Sequence, residues 1–292
     1  MLTNIGEILK RANKENYAVP AVNVFSGLDA RAVLEAAEIL QSPVIFDIAY
    51  KAVPEIKILG ENLRSLACRA SVPVAIHLDH GSSFAEIMEA VQSGFTSVML
   101  DCSVLPYQEN VAHVREVVNA VKHLGISVEA ELGHVGQGTE YADAKGLTDP
   151  EGAERFIKDT GIDALAVAVG TAHGTYKGTP RIDFARLAEI KERTRFPLVL
   201  HGSSGTGEEN ICKACKMGIN KVNVCVDILH AVAKKLQNAD LSQNHAYEIW
   251  DLAATSVREE TMHQITMTGS EGKAWDVRVK GIMAVKTSMM EV

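Results

Sequence analysis

Apolar residues along the chain follow two alternating patterns. Short, nearly continuous runs rich in Val, Ile and Ala recur at Ala21–Val24, Pro43–Ile48, Val74–His77, Ser97–Leu100, Ser127–Glu131, Ala164–Val169, Leu198–His201 and Lys221–Val224. Each is followed by a longer stretch in which apolar residues return every three or four positions. Ala32, Leu34, Ala36, Ile39 and Leu40 do so within Asp29–Leu40. The other such stretches are Ile56–Arg69, Phe84–Gln92, Gln108–Leu124, Pro150–Thr160, Phe184–Arg193, Glu208–Met217 and Asp227–Gln237. A run without a polar face reads as a strand covered on both sides, and the wider spacing as a helix with one buried face. Their alternation builds a parallel sheet flanked by helices.

Eight strand–helix units close a ring, so the pattern predicts an α/β fold of the (β/α)8 TIM-barrel class. An open doubly wound sheet, usually built from fewer strands, is the competing arrangement. The barrel should occupy about residues 17–237. Residues from about 238 to 292 carry no strand pattern and read as additional C-terminal helices, including Tyr247–Gln264. No Pro/Gly/Ser-rich linker and no charge block divides the chain, so residues 1–292 are expected to form a single domain.

Composition narrows the class without naming a chemistry. Of 292 residues, 47% are apolar and 23% charged, as in ordinary globular proteins. A formal net charge of -8 argues against a nucleic-acid partner. No apolar run reaches the roughly 18 residues of a membrane span. The start, MLTNIGEILKRANKEN, is amphipathic rather than apolar and is unlike a signal peptide. Five Cys, an odd number, argue against a disulfide framework and for a cytoplasmic location. Cys212 and Cys215 have CxxC spacing but sit in a helical pattern without a second pair, so they read as packed thiols.

The chemistry lies where strands end. Barrel active sites gather at the C-terminal ends of the strands. Asp79 and His80 follow the third strand (AIHLDHG), Asp101 ends the fourth (VMLD) and Glu131 the fifth (VEAELG). His173 follows the sixth (AVAVGTAHG), His201 ends the seventh (LVLHG) and Asn223 ends the eighth (KVNV). Six consecutive strands thus place a polar or ionisable residue at one end. Three His from different strands suit Zn²⁺ and leave a coordination position for substrate. His77 lies three residues before His80, and that odd spacing directs the two to opposite faces of an extended chain. Asp79 beside a ligand position is a candidate general acid/base, with a helix N-cap as its ordinary role. Asp101 and Glu131 either orient the ligands, hold a second metal position or form an internal ion pair.

Gly-rich turns after the sixth and seventh strands (GTAHGTYKG, HGSSGTG), and the turn NVCVD after the eighth, are candidate phosphate loops, with Lys177 as an added charge. The loop HVGQGTEYADAKG from His134 to Gly146 is long for its position and reads as a lid that carries Glu140.

These residues resemble the class II, zinc-dependent ketose-bisphosphate aldolases, the tagatose- and fructose-bisphosphate aldolases among them. The matching runs are VPAVN, SPVI, HLDHG, SVMLD, SVEAELG, GTAHGTYKG, PLVLHGSSG, KVNV and GSEGKA, in order from about Tyr17 to Lys273. The resemblance implies that His80, His173 and His201 hold the catalytic Zn²⁺ and that Asp79 exchanges the proton of the substrate C4 hydroxyl. Asp101 and Glu131 match positions that hold a second or displaced metal. Asn23, Gly174, Gly202, Ser203, Ser204, Asn223, Val224, Cys225 and Val226 match the site for dihydroxyacetone phosphate. It further implies a monovalent cation (Na⁺ or K⁺) near the phosphate loops, a small sugar phosphate as the only substrate class, and a homodimer or homotetramer.

The expected reaction is reversible cleavage of a ketose 1,6-bisphosphate, of fructose or tagatose type, to dihydroxyacetone phosphate and an aldehyde. The chain departs from the family pattern in several places. Thr139 precedes Glu140 where the lid glutamate often lies, Val226 replaces the Thr of NxxT, and Cys225 replaces Asp, Ala or Asn. Ile48 and Ala49 stand where bisphosphate-cleaving members often have Ser or Thr, and Gln243-Asn244-His245 stands in place of Asp-Pro-Arg. A ketose 1-phosphate with an unphosphorylated acceptor aldehyde is therefore the second expectation, with Asp47 and Lys51 near its far end. A non-catalytic sugar-phosphate-binding or activating subunit would lack the His trio or Asp79, and a zinc hydrolase would have no use for the phosphate loops.

Overall fold

In the computed structural model eight strands, β1 to β8, form a closed ring. They are Val19–Asn23, Val44–Ala49, Val74–Gly81, Ser97–Leu100, Ser127–Leu132, Ala164–Val167, Leu198–Leu200 and Ile219–Val224. Each pairs in parallel with the next, and β8 returns to β1. The structure describes residues 1–53, 55–137, 146–174 and 180–276. Helices follow the strands in turn: Gly27–Ile39, Ile56–Arg69, Phe84–Gln92, Tyr107–Val121, Pro150–Thr160, Phe184–Thr194, Glu208–Lys216 and Val226–Gln237. This is the (β/α)8 barrel that the apolar pattern predicts, and the open sheet is excluded by the β8–β1 pairing.

Strand alternation divides the core in two. Outward residues such as Val44, Phe46, Ile48, Val74, Ile76 and Leu78 pack under the helices. Inward residues, among them Ile45, Ala75, Met99, Ala164, Ala166 and Val199, fill the lower interior. The N-terminal segment, which the strand–helix pattern leaves unassigned, forms a helix at Ile5–Glu15. Its Ile5, Ile8, Leu9 and Ala12 pack onto that inner cluster and stopper the N-terminal end. The site residues lie at the opposite end, where a cavity opens.

Two boundaries differ usefully from the sequence reading. β3 continues to Gly81 instead of stopping at His77 because both neighbours pair with it there, Ala49 with Asp79 and Leu100 with Gly81. The C-terminal helix runs Ile249–Thr268, later than the expected Tyr247–Gln264, and a short 3-10 turn at Gln243–Glu248 precedes it. The chain beyond this helix is tied to the first βα layer by Gly272 N–H to Leu40 O and Ala274 N–H to Gln41 O. Among the described residues no helix is long and apolar enough to cross a membrane.

Candidate active site

The inward face of each strand carries the site in two tiers. On β3, Ile76 and Leu78 face the helices, which turns His77 and Asp79 inward. On β5, Val128 and Ala130 face outward, which turns Glu129 and Glu131 inward, and Lys221 and Asn223 on β8 follow the same rule around Val222. Asp47 on β2 joins the lower tier, where its neighbour across the sheet is His77. Alternation alone would send His80 outward. Its backbone instead takes φ = 47°, in the left-handed region, and this returns the ring to the barrel axis. The expectation that His77 and His80 point to opposite faces is thereby corrected. Both reach the interior, His77 by the pleat and His80 by a local break in it.

His80, His173 and His201 converge at the mouth. Ring centroids lie 4.8 Å apart for His80–His173, 4.7 Å for His80–His201 and 5.5 Å for His173–His201. Each His can offer one nitrogen within a set no wider than 4.8 Å. His80 Nδ1 lies 2.8 Å from Asp101 Oδ2, so Nε2 faces the centre, where it lies 2.8 Å from His201 Nδ1. His201 Nε2 lies 2.9 Å from Glu129 Oε1. His173 Nε2 is buried and finds no hydrogen-bond partner among the described residues. Two oriented imidazoles and one unpartnered ring nitrogen around one point form a donor set that fits Zn²⁺. His80, Asp101 and Glu131 make an adjoining set, and Glu131 Oε2 is likewise buried without a partner.

The electrostatics separate His80 from the other two histidines. Burial and the neighbouring His80 charge push His173 down to about 4, and the same two causes push His201 well below the usual histidine range. Neutral imidazole is the ligand form. Burial opposes a charge on His80, but Asp79 and Asp101 overcome it and lift the ring to about 10. Burial would raise Asp79, yet His80, His201 and Lys221 hold it at about 2, as an ionised base at the mouth. Glu131 is driven the other way, to about 8, by burial and by Asp101.

A cavity of 470 Å³ opens over this centre. Asn23, Asp79, His80, Asp101, His173, Gly174, Gly202, Ser203, Ser204, Asn223, Cys225 and Val226 line it, as do Ala49, Lys51, Ser82, His134 and Val135. Val224 does not; it packs outward beneath the helices. The helix that starts at Glu208 has no side-chain cap, and in the first turn of the helix that starts at Val226 the Asp227 N–H donates to Ser204 Oγ at 3.4 Å, so both helix starts border the seventh and eighth loops. Ser203 Oγ donates to Asn223 O at 2.5 Å and ties the two loops together. The chain after β5 pairs Gly136 and Gln137 with Ala172 and His173, so the start of the long loop is fastened to one strand-end histidine of the trio. Glu140 and Lys177 lie outside the described residues.

Sequence reasoning missed Glu129, Lys221 and the inward side of His77. A signal was present: each lies two residues before a strand-end polar residue, and period two puts both on one face.

Comparison with known proteins agrees with this geometry. The family model described as fructose-bisphosphate aldolase class-II matches residues 3–273. The YdjI aldolase from Escherichia coli K12 is 32% identical over 94% of this chain and 100% of its own, with a TM-score of 0.85. A Coccidioides immitis protein assigned as a fructose-1,6-bisphosphate aldolase is 30% identical over 91% of this chain and 96% of its own, with a TM-score of 0.83. The Campylobacter jejuni fructose-bisphosphate aldolase Fba, 22% identical over 93% of this chain and 97% of its own, shares the fold with a TM-score of 0.79. With a strand-end histidine trio, an ionised aspartate beside it and a family match across nearly the whole barrel, the chain belongs to the class II fructose-bisphosphate aldolase family.

Proposed function

We propose that this enzyme is a zinc-dependent aldolase that reversibly cleaves a ketose 1,6-bisphosphate, of fructose or tagatose type, to dihydroxyacetone phosphate and an aldehyde. The observation that carries the reading is the convergence of His80, His173 and His201 beside ionised Asp79. His80 Nε2, His201 Nδ1 and a His173 nitrogen would hold the ion. When bound, Zn²⁺ supplies a Lewis acid that polarises the substrate ketone.

The remaining chemistry belongs to side chains. Asp79 Oδ1 accepts from Asn223 Nδ2 at 3.1 Å, which fixes the carboxylate at the cavity wall. From there it takes the proton of the C4 hydroxyl as the C3–C4 bond breaks, and returns it in the reverse direction. Glu140 is the proposed group that protonates the substrate carbon. The loops of Gly202–Ser204 and Cys225–Val226, with the helix starts that follow them, receive the C1 phosphate, joined by Gly174, Asn23 and Lys177. Asp101 and Glu131 support His80 and offer a second ion position; a monovalent cation belongs near the phosphate loops.

A second reading keeps the chemistry and changes the acceptor. Ala49 puts a methyl group on the cavity wall where bisphosphate-cleaving relatives often have a hydroxyl. This favours a ketose 1-phosphate whose far end is not phosphorylated, with Lys51 beside a differently substituted acceptor aldehyde. The test is a panel of both bisphosphates and several ketose 1-phosphates, with dihydroxyacetone phosphate release as readout. Protein treated with chelator and then Zn²⁺ should regain cleavage; no release from any ketose phosphate would overturn the proposal.

A further inference from the structure

Below the histidine trio lies a second, wholly buried polar tier. Asp47, His77, Glu129 and Lys221 are each 0% exposed. A barrel interior at this depth is ordinarily filled by branched apolar side chains. Four ionisable groups there carry a desolvation cost that favourable packing alone would not require. Their connections show what they hold.

Lys221 has three N–H donors and can accept nothing. Its Nζ lies 3.0 Å and 3.2 Å from the two oxygens of Glu129 and 2.7 Å from Asn223 Oδ1. The first contact turns the Glu129 carboxylate so that Oε1 also meets His201 Nε2. That ring nitrogen must then carry the proton, and Nδ1 is left as the nitrogen toward His80 and the metal position. The second contact decides the amide orientation of Asn223. With its oxygen on Lys221, the Asn223 NH2 group points at two carboxylates, Asp79 Oδ1 and Asp47 Oδ2, each at 3.1 Å. Asp79 therefore has one oxygen tied and the other left for substrate. One buried ammonium reaches a metal-ligand position through Glu129 and the acid/base aspartate through Asn223.

We propose that Lys221 is the positioning residue of this site: it sets the His201 tautomer through Glu129 and the orientation of Asp79 through Asn223. This rests on the aldolase reading above. It goes further in assigning the register between metal and base to a residue that touches neither substrate nor metal.

The test uses the full chain with Zn²⁺ or Co²⁺ bound. Lys221→Met keeps the length of the side chain and removes its donors. It should lower kcat about 30-fold or more with KM changed less than about threefold, because the loss falls on the reacting geometry rather than on ground-state binding. In an Asp79→Asn background the same substitution should cost clearly less than it does in wild type, since the arm through Asn223 then has no carboxylate to orient and only the arm through Glu129 remains. Glu129→Gln, close to isosteric, tests the other arm without relying on the fold of the first variant. Its zinc affinity, by competition with a chromophoric chelator, should fall about 10-fold to 100-fold, and the visible spectrum of its Co²⁺ form should shift. The inference is overturned if Lys221→Met keeps wild-type kcat, if its loss adds in full to that of Asp79→Asn, or if Glu129→Gln binds zinc as wild type does with an unchanged Co²⁺ spectrum. Failure of the aldolase reading looks different: the wild-type protein itself would cleave no ketose phosphate, while the zinc and Co²⁺ measurements would still decide the Glu129 arm.

Discussion

Gly202, between His201 and the serines of the seventh loop, offers a direct measure of how closely two histidine-bearing turns must approach. Its φ is +62°, a conformation that costs an L-residue about 1–2 kcal/mol. A Cβ built there would overlap the carbonyl oxygen of Ala172, and would lie 2.5 Å from its carbonyl carbon and 2.9 Å from its nitrogen. Every obstructing atom is backbone, so no rotamer change relieves the overlap. Overpacking of this kind adds about 1–3 kcal/mol. Gly202→Ala should therefore destabilise by about 2–5 kcal/mol, the sum of the two effects. For a chain of this size that lowers Tm by about 3–8 °C. Ala172 precedes His173, so relief of the overlap separates the two histidine-bearing turns, and zinc affinity should fall by at least about tenfold, the scale of a disturbed ligand support. Gly125→Ala is the control. Gly125 has φ = +74° and nothing within 4 Å of a built Cβ, so it reports the conformational cost alone. Thermal melts of both variants with and without Zn²⁺, and chelator competition, make the comparison. If Gly202→Ala melts with Gly125→Ala and binds zinc like wild type, the close approach of the two turns has no bearing on the site.

Further expectations follow from the same geometry. Asp79→Asn should reduce kcat by about 10²–10⁴ while zinc binding persists, measured by dihydroxyacetone phosphate release and metal analysis. Zinc uptake near neutral pH should release about one proton, because the His80 ring, lifted to about 10, gives up the proton between Nε2 and His201 Nδ1, and a pH indicator in weak buffer would report it. Val226→Thr returns a hydroxyl to the phosphate loop and should lower KM for ketose phosphates severalfold, an expectation refuted by an unchanged KM. At the closed end, burial lowers Lys191 to about 8 from 10.5. Between those values the unfolded chain holds a proton that the folded chain has lost, so this residue makes stability rise with pH. Urea midpoints at pH 8 and pH 10 should show wild type gaining on Lys191→Gln across that window.

Much of this was legible without coordinates. The continuous Val/Ile/Ala runs specify strands covered on both faces because each strand is short and its apolar surface can be hidden only between layers. The helical spacing between them supplies the outer layer, and eight repeats leave little choice but closure. His173, His201, Asp101 and Glu131 could be assigned to the open end since each terminates or follows a strand, a matter of local order along the chain. Asp79 and His80 were located at that end by the same logic, although β3 continues past both.

The tertiary structure decided what depends on neighbours in space. That His77 lies inside follows from Ile76 and Leu78 meeting the helices, whereas His80 needs a left-handed backbone that the sequence does not announce. The two-residue pairing of the fifth and sixth loops joins positions far apart in the chain and has no local pattern. Most of all, the tie from His201 through Glu129 and Lys221 to Asn223 and Asp79 spans β3, β5, β8 and the end of β7. Sequence spacing fixes which face of its own strand a side chain takes. Only barrel closure fixes which side chains from other strands meet it at the axis, and with them the tautomer of one histidine and the free oxygen of one aspartate.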